Sequence, residues 1–206
     1  MDNNYIFQYW AAIENGTVTV GKWIRTIYKI LVDGLKSGKW DYDEGKAEKA
    51  IKFIENFCHH SEGRNDLLKL ELWQKAIVSA IFGIMDKKTG YRQFREGFIV
   101  VARKNGKTLF AAAIAAYMTY VDGEYGAKVY FLAPKLDQAE LVYDAFYQIV
   151  QADDELDSIT KKRRSDIYIK EFNTSVKKIA FNSKKSDGFN PQMVVNDEME
   201  AWPGDQ

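Results

Sequence analysis

The chain has 206 residues, and its 29 Lys and Arg are balanced by 29 Asp and Glu. Hydrophobic residues make up 46% of it, so it can bury a sizeable core and is not disordered as a whole. The zero formal charge excludes a basic coat over the whole surface, so any contact with nucleic acid must come from a local patch.

The single cysteine is typical of a protein in a reducing compartment, and the short apolar runs are typical of a protein outside the membrane. Cys58 is the only cysteine and cannot form an internal disulfide. The N-terminus lacks the charged-then-apolar pattern of a secretion signal. The longest uncharged run, residues 108–121, has 14 residues, whereas a membrane-spanning helix needs about 20. We therefore expect an intracellular protein that is neither secreted nor embedded in a membrane.

The first 66 residues have the pattern of a helical region. Apolar side chains recur at helical spacing over residues 23–35, and again from a helix start near Asp43 to Cys58. A third helix is predicted over residues 73–85, followed by a turn at residues 87–90. The helical segments before residue 66 predict a helical leader over residues 1–66, and the third helix belongs to the region that follows it.

From residue 67 onward, short apolar runs alternate with helical patterns. The runs predicted to be strands are residues 98–102, 128–133, 166–169, 175–181 and 193–195. Helices are predicted over residues 109–121 and 136–150, the second with Asp137 as its N-cap. This alternation predicts an α/β domain over residues 67–206, with a largely parallel sheet flanked by helices.

Residues 103–108 join the first of these strands to the first of these helices, and they resemble the closing part of a phosphate-binding loop. Gly106 permits a tight turn, and the N–H groups at the start of the next helix would point at an anion. Lys107 would contact the β- and γ-phosphates of ATP, and the Thr108 hydroxyl would bind Mg²⁺. The loop is a variant, because Val101 stands where the usual pattern has glycine. A solvated turn is the alternative, and the strand–loop–helix context favours the phosphate-binding interpretation.

A second polar pair follows the last predicted strand. Asp197 and Glu198 come directly after residues 193–195, at the strand end where open α/β sheets bind ligands. Asp197 is predicted to hold Mg²⁺ through water, and Glu198 to orient and polarise the attacking water. A surface turn is the usual explanation for an isolated Asp-Glu pair, and the loop about 90 residues upstream supports the catalytic one.

Gln74 is a weaker candidate ahead of the first core strand. Its carboxamide could donate to and accept from an adenine edge at once, although a half-exposed helix residue is the simpler explanation.

Taken together, these motifs closely resemble the large subunit of tailed-phage terminases, through essentially the whole chain. The segments that carry the resemblance are residues 53–57, 72–74, 89–95, 103–108, 187–191 and 197–198. The variant loop is the form this family normally has. Arg103 matches the family's loop arginine, which is thought to sense or stabilise the γ-phosphate, a task that suits a guanidinium fork.

The resemblance implies a P-loop ATPase that drives double-stranded DNA through a portal into an empty capsid. The catalytic residues would then be Arg103, Lys107 and Glu198, with Thr108 and Asp197 on Mg²⁺. The residues expected to bind ATP are Gln74, Arg103, Lys104, Asn105, Gly106, Lys107 and Thr108. The implied partners are DNA, the portal, the terminase small subunit and further copies of the chain in a ring, all in the cytoplasm of a bacterial host.

The family's nuclease domain and its coupling motif follow the catalytic glutamate, and this chain continues for only eight residues after Glu198. We therefore expect a truncated piece of a longer protein, with an incomplete sheet and little activity of its own. Two alternatives stay open: a helicase-like DNA-dependent ATPase, and a nucleotide-binding fragment without turnover. The basic run over residues 161–185 could contact DNA phosphates or could be a solvated hairpin face.

Overall fold

The computed structural model describes residues 4–60, 63–102, 104–180, 191–197 and 199. In chain order the elements are α1 (Tyr5–Glu14), α2 (Lys22–Lys36), β1 (Asp41–Tyr42), α3 (Glu44–Phe57), α4 (Leu72–Gly83), β2 (Ile84–Met85), α5 (Lys107–Tyr120), β3 (Lys128–Ala133), α6 (Leu136–Ala152), α7 (Asp154–Ser158), β4 (Thr160–Lys162), β5 (Ile167–Ile169), β6 (Thr174–Ala180) and β7 (Met193–Asn196).

The chain divides into two compact units. The first contains the residues up to Glu55 together with Lys69–Val100, and the second contains Asn56–Leu68 together with the residues from Val101 onward. The domain boundary predicted between residues 66 and 67 falls inside the first segment of the second unit, and it stays a prediction.

The first unit is built from α1, α2, α4, most of α3 and the short antiparallel pair β1–β2. Its helices form because apolar side chains recur on one face, and α1 begins where the Asn4 carboxamide accepts hydrogen bonds from the N–H groups of Ile6 and Phe7. The buried residues of its main apolar cluster are Ile6, Tyr9, Ile13, Tyr28, Leu31, Val32, Trp40, Ala76 and Ile84.

The second unit is organised around a five-stranded sheet with the strand order β4-β5-β6-β3-β7. Strand β3 is parallel to both β6 and β7, whereas β4, β5 and β6 pair antiparallel. Helices α5 and α6 pack on each other, and α6 also packs on β3 and β6. Fully buried Phe131 and Phe146 lie between these layers, with ring centroids 5.9 Å apart. The predicted α/β fold with strands flanked by helices is confirmed, with three strands parallel and an antiparallel extension.

The strand predicted over residues 98–102 is not formed, and that prediction is wrong. The segment is irregular, Phe98 and Val100 are exposed, and none of the described strands pairs with it. A β-branched apolar run has the right composition for a strand, but a strand also needs a neighbouring backbone to satisfy its N–H and C=O groups.

The structure differs from the predicted elements in smaller ways as well. Lys135, not Asp137, is the N-cap of α6, because Asp137 already has helical backbone geometry and accepts from the N–H of Gln138. The hairpin between β5 and β6 turns at Asn173 as predicted, with φ +51° there. Strand β4 and helix α7 were not predicted. Among the described helices, none has the length and apolar content to cross a bilayer.

Candidate nucleotide-binding site

Helix α5 begins with an exposed N-terminus that has no side-chain cap. Its N-cap is Gly106, in the left-handed region at φ +69°, and the first turn contains no acidic residue. A Cβ added at Gly106 would meet nothing within 4 Å, so the space beside the loop is open. The first N–H groups of a helix lack intrahelical acceptors, and the helix dipole makes that end positive. This helix start is therefore suited to bind an anion.

The loop ahead of α5 holds a second residue in the left-handed region. Lys104 has φ +67°, which costs a residue with a Cβ about 1–2 kcal/mol relative to the right-handed region. The Asn105 side chain donates from Nδ2 to the carbonyl of Ala102 at 3.0 Å and so ties the loop to the chain before it. Left-handed residues in a turn direct successive N–H groups to one side and create an anion-binding concavity. The strain at Lys104 fits such a loop.

Asp197 reaches the same region from the sheet. It follows β7, whose Asn196 is paired with Leu132 of β3, and the N–H of Asp197 donates to the carbonyl of Leu132 at 3.0 Å. This bond holds the residue at the carboxyl edge of the two parallel strands, and only 9% of its surface is exposed. Ligands bind at this edge in open α/β sheets.

The structure joins the two motifs through an ion pair. Lys107 Nζ lies 2.8 Å from Asp197 Oδ1, with side-chain exposures of 36% and 11% respectively. The pair bridges the first residue of α5 and the end of β7, which lie about 90 residues apart in the sequence. Partial burial weakens solvent screening and so strengthens the attraction relative to a surface pair. The residues predicted to contact phosphate and Mg²⁺ thus lie together.

The remaining predicted site residues are distributed as follows. Thr108, the second residue of α5, is half-buried beside Lys107. Arg103 and Glu198 lie outside the described residues. Gln74 belongs to the first unit, where it is buried and its Oε1 accepts from the N–H of Glu71 at 2.8 Å in a capping box that starts α4. One lone pair of Gln74 is therefore already engaged within its own helix.

Thr108 and Asp197 fit a magnesium ion chemically. Mg²⁺ takes hard oxygen ligands, and it is usually held by one or two protein side chains together with waters and substrate phosphates. Within the described parts of the chain, no three His, Cys, Asp or Glu side chains are grouped closely enough to hold a metal by themselves. The hydroxyl of the second residue of α5 and a buried carboxylate that contacts the first residue of α5 suit an ion that arrives with a nucleotide.

Comparison with known proteins gives a family and a fold. Residues 72–206 match the family described as "Terminase large subunit, ATPase domain". No curated protein matched significantly. Among solved structures, the fold resembles the crystal structure of the HK97 bacteriophage large terminase, with a TM-score of 0.62 and 24% sequence identity. That match covers 73% of this chain and 30% of the HK97 chain, so this chain corresponds to under a third of that terminase.

The family match extends over well over half of the chain and includes both motifs that form the ion pair. It confirms the resemblance deduced from the sequence. The chain belongs to the terminase large subunit ATPase domain family.

Proposed function

We propose that this chain is the ATP-hydrolysing part of a phage DNA-packaging motor, and that it binds the nucleotide phosphates over the N-terminus of α5. The observation that carries the proposal is the 2.8 Å contact between Lys107 and Asp197, which brings a phosphate-binding cation and a magnesium-binding carboxylate to one place. The uncapped helix start and the open space at Gly106 support the same site.

Binding of ATP would exchange the partner of Lys107. In the structure the ammonium of Lys107 neutralises the Asp197 carboxylate. The phosphate oxygens of ATP carry more negative charge than one carboxylate and would draw Nζ away from it. Asp197 and the Thr108 hydroxyl would then be the residues that hold Mg²⁺, an ion that supplies neutralisation of the charge developing on the phosphates. Until nucleotide binds, the Lys107–Asp197 ion pair thus holds both side chains in position.

Roles are proposed for three further residues. Glu198, next to Asp197 in the sequence, would orient and polarise the attacking water. Arg103 would stabilise charge on the γ-phosphate through its guanidinium fork. For Gln74, which belongs to the first unit, the adenine-binding role stays a prediction from the family resemblance, and its capping bond leaves hydrogen-bonding capacity for that role.

Nucleotide binding by matched lysine variants tests the site. Lys107→Ala should greatly weaken binding of a fluorescent ATP analogue. Lys128→Ala should not, because Lys128 is an exposed lysine at the opposite, amino end of β3 in the same unit. Equal affinities for the two variants would refute the placement of the phosphates.

Turnover separates binding from chemistry. Glu198→Gln should retain ATP binding and lower hydrolysis by about 10²-fold or more, as expected when a group that activates water is lost. Hydrolysis at the wild-type rate by this variant would remove Glu198 from the mechanism and leave the binding site untouched.

The β4–β5 hairpin is the proposed DNA contact of the motor. Lys161, Lys162 and Arg164 are exposed on it, whereas Arg163 is neutralised by two 2.6 Å hydrogen bonds to buried Asp166. These three cations have no carboxylate partner among the described residues, which suits phosphate contacts without base readout, the kind of contact that a translocating motor needs. Residues 181–185, the end of the predicted basic run, lie outside the described residues.

Salt dependence tests this contact. The triple alanine variant of Lys161, Lys162 and Arg164 should bind duplex DNA more weakly and reduce the slope of log K against log salt by about 2.7, since each phosphate contributes about 0.9. The control is the triple alanine variant of three exposed lysines in the first unit, Lys36, Lys49 and Lys69. Both variants lower the net charge by three, so an equal loss of slope would refute the assignment to the hairpin.

The remaining partners follow from the family. We propose that the portal, the terminase small subunit and further copies of the chain in a ring are the assembly in which hydrolysis drives DNA into the procapsid.

A further inference from the structure

Gln138 is a polar residue at the start of the inner face of α6. Val142, Ala145 and Ile149 follow it at helical spacing and are all buried. Gln138 is itself half-buried, and its Oε1 is shielded from solvent without a hydrogen-bond partner in the described structure. Its backbone N–H is occupied by Asp137 Oδ1 at 3.0 Å. The carboxamide oxygen of Gln138 is therefore a buried hydrogen-bond acceptor that has no donor in the described structure.

Topology places Gln138 at the edge of the sheet that carries the proposed ATP site. Helix α6 begins three residues after β3 ends at Ala133, so its first turn lies at the carboxyl end of β3. Asp197 lies at the same edge, bonded to the carbonyl of Leu132. Helix α6 also packs on α5, whose first residue, Lys107, contacts Asp197. The first turn of α6, the start of α5 and the end of β7 thus lie at the same edge of the sheet in the second unit.

A buried acceptor without a donor costs free energy that an apolar side chain at the same place would avoid. The next inward position of the helix, Val142, shows that this face accepts apolar residues. A glutamine at this position is explained if a bound ligand brings the hydrogen-bond donor that its Oε1 lacks. In nucleotide hydrolysis the attacking water is such a donor, and a glutamine carboxamide is a group that can orient it.

We propose that Gln138 is a further catalytic residue of the ATP site, whose Oε1 accepts a hydrogen bond from the water that attacks the γ-phosphate. The inference rests on the proposed ATPase function. The water oxygen forms a bond to the γ-phosphorus, the bond from that phosphorus to the β–γ bridging oxygen breaks, ADP leaves with that oxygen, and the released dihydrogen phosphate carries both protons of the water. Gln138 gains and loses no proton; it fixes the direction of attack.

The test compares Gln138→Leu with Gln148→Leu, which alters an exposed glutamine farther along the same helix. Three quantities are measured for each: the Tm without nucleotide, the stabilisation by ADP and by ADP–aluminium fluoride, and the rate of ATP hydrolysis. Gln138→Leu should keep or raise the Tm because it removes a buried acceptor that has no donor. It should also keep the response to ADP, lose most of the extra response to ADP–aluminium fluoride and lower turnover by about 10²-fold. Gln148→Leu should behave as wild type.

A second variant, Gln138→Asn, keeps the carboxamide but shortens its reach, and it should show the same loss of turnover. A lower Tm of Gln138→Leu would show that the oxygen has a structural partner and would overturn the proposal. Unchanged recognition of ADP–aluminium fluoride with unchanged turnover would overturn it as well. A wild-type protein that responds to neither ADP nor its fluoride complex would refute the proposed ATP site itself, and the role of Gln138 with it. A defect confined to the Gln138 variants concerns Gln138 alone.

Discussion

The Lys107–Asp197 contact predicts a measurable coupling in the nucleotide-free protein. The perturbation is a double-mutant cycle built from Lys107→Met, Asp197→Asn and the double variant, because a cycle isolates the pair from the other contacts of each residue. The contact is 2.8 Å long, and the two side chains are 36% and 11% exposed. The cycle therefore tests a pair that lies between the fully exposed and the fully buried cases.

The size of the coupling follows from two opposing effects. Two unit charges at about 4 Å attract by about 4 kcal/mol at an effective dielectric constant near 20. Desolvation of the mostly buried carboxylate offsets much of this attraction, and well-exposed pairs are worth only about 0.2–1 kcal/mol. We expect a coupling of about 1–2 kcal/mol for Lys107 and Asp197, since the Lys107 side chain keeps some contact with water.

The assay is equilibrium unfolding in urea, with the free energy of unfolding measured for wild type and all three variants at low and at high salt. A matched cycle on Lys29 and Asp33, an i,i+4 pair with both side chains more than half exposed, should give a much smaller coupling that salt removes. A Lys107–Asp197 coupling under about 0.5 kcal/mol, within the error of additivity, would refute the pairing.

Four further predictions concern the cores and the cysteine. Phe146→Ala should lower the free energy of unfolding by about 3–5 kcal/mol in urea titrations, because Phe146 is fully buried. Gly34→Ala should lower the Tm, since a Cβ there would clash with the Trp40 ring, whereas the nearest atom to a Cβ at Gly97 would be Cδ1 of Ile81 at 4.0 Å, so Gly97→Ala should leave the Tm nearly unchanged. Burial raises the pKa of Cys58 to about 12 from 9.0, so its thiol should react with iodoacetamide at pH 8 only as fast as the protein unfolds. Because the folded-state pKa is the higher one, the contribution of Cys58 to stability should be present below pH 9 and be lost as the pH rises toward 12.

Local sequence predicted most of the elements near the candidate site. Strand β3 lies at the predicted residues, and β7 and α5 deviate from prediction by one or two positions. These elements are short-range features, because periodicity, β-branching and an alanine-rich run act within one segment. The predicted N-cap of α6, Asp137, was wrong. An aspartate is favourable both at the N-cap and within the first turn of a helix, so its presence does not fix the first residue.

Which side chains are buried was harder to predict from the sequence. The periodicity of apolar residues correctly located helix α2. The buried face of this helix contains Tyr28, Leu31 and Val32, whereas Trp23 and Ile27 are exposed. Both sets are apolar and both recur at helical spacing, so only the neighbouring elements decide which is covered. Gln138 illustrates the same limit within the site region. The sequence shows an ordinary glutamine, and only the packing of α6 on its neighbours reveals that its buried Oε1 has no hydrogen-bond partner among the described residues.

The sequence by itself determined the chemistry of this protein: a glycine–lysine–threonine turn at a helix start, an aspartate after an apolar strand, and their match to terminase ATPase domains. The tertiary structure decided which of these groups meet and which runs become strands. Lys107 and Asp197 pair across about 90 residues because α5 and the end of β7 meet at one sheet edge. Residues 98–102 have the composition of a strand and stay irregular because no described strand pairs with them. Composition acts locally, whereas hydrogen-bond partners and ion pairs depend on segments distant in the chain.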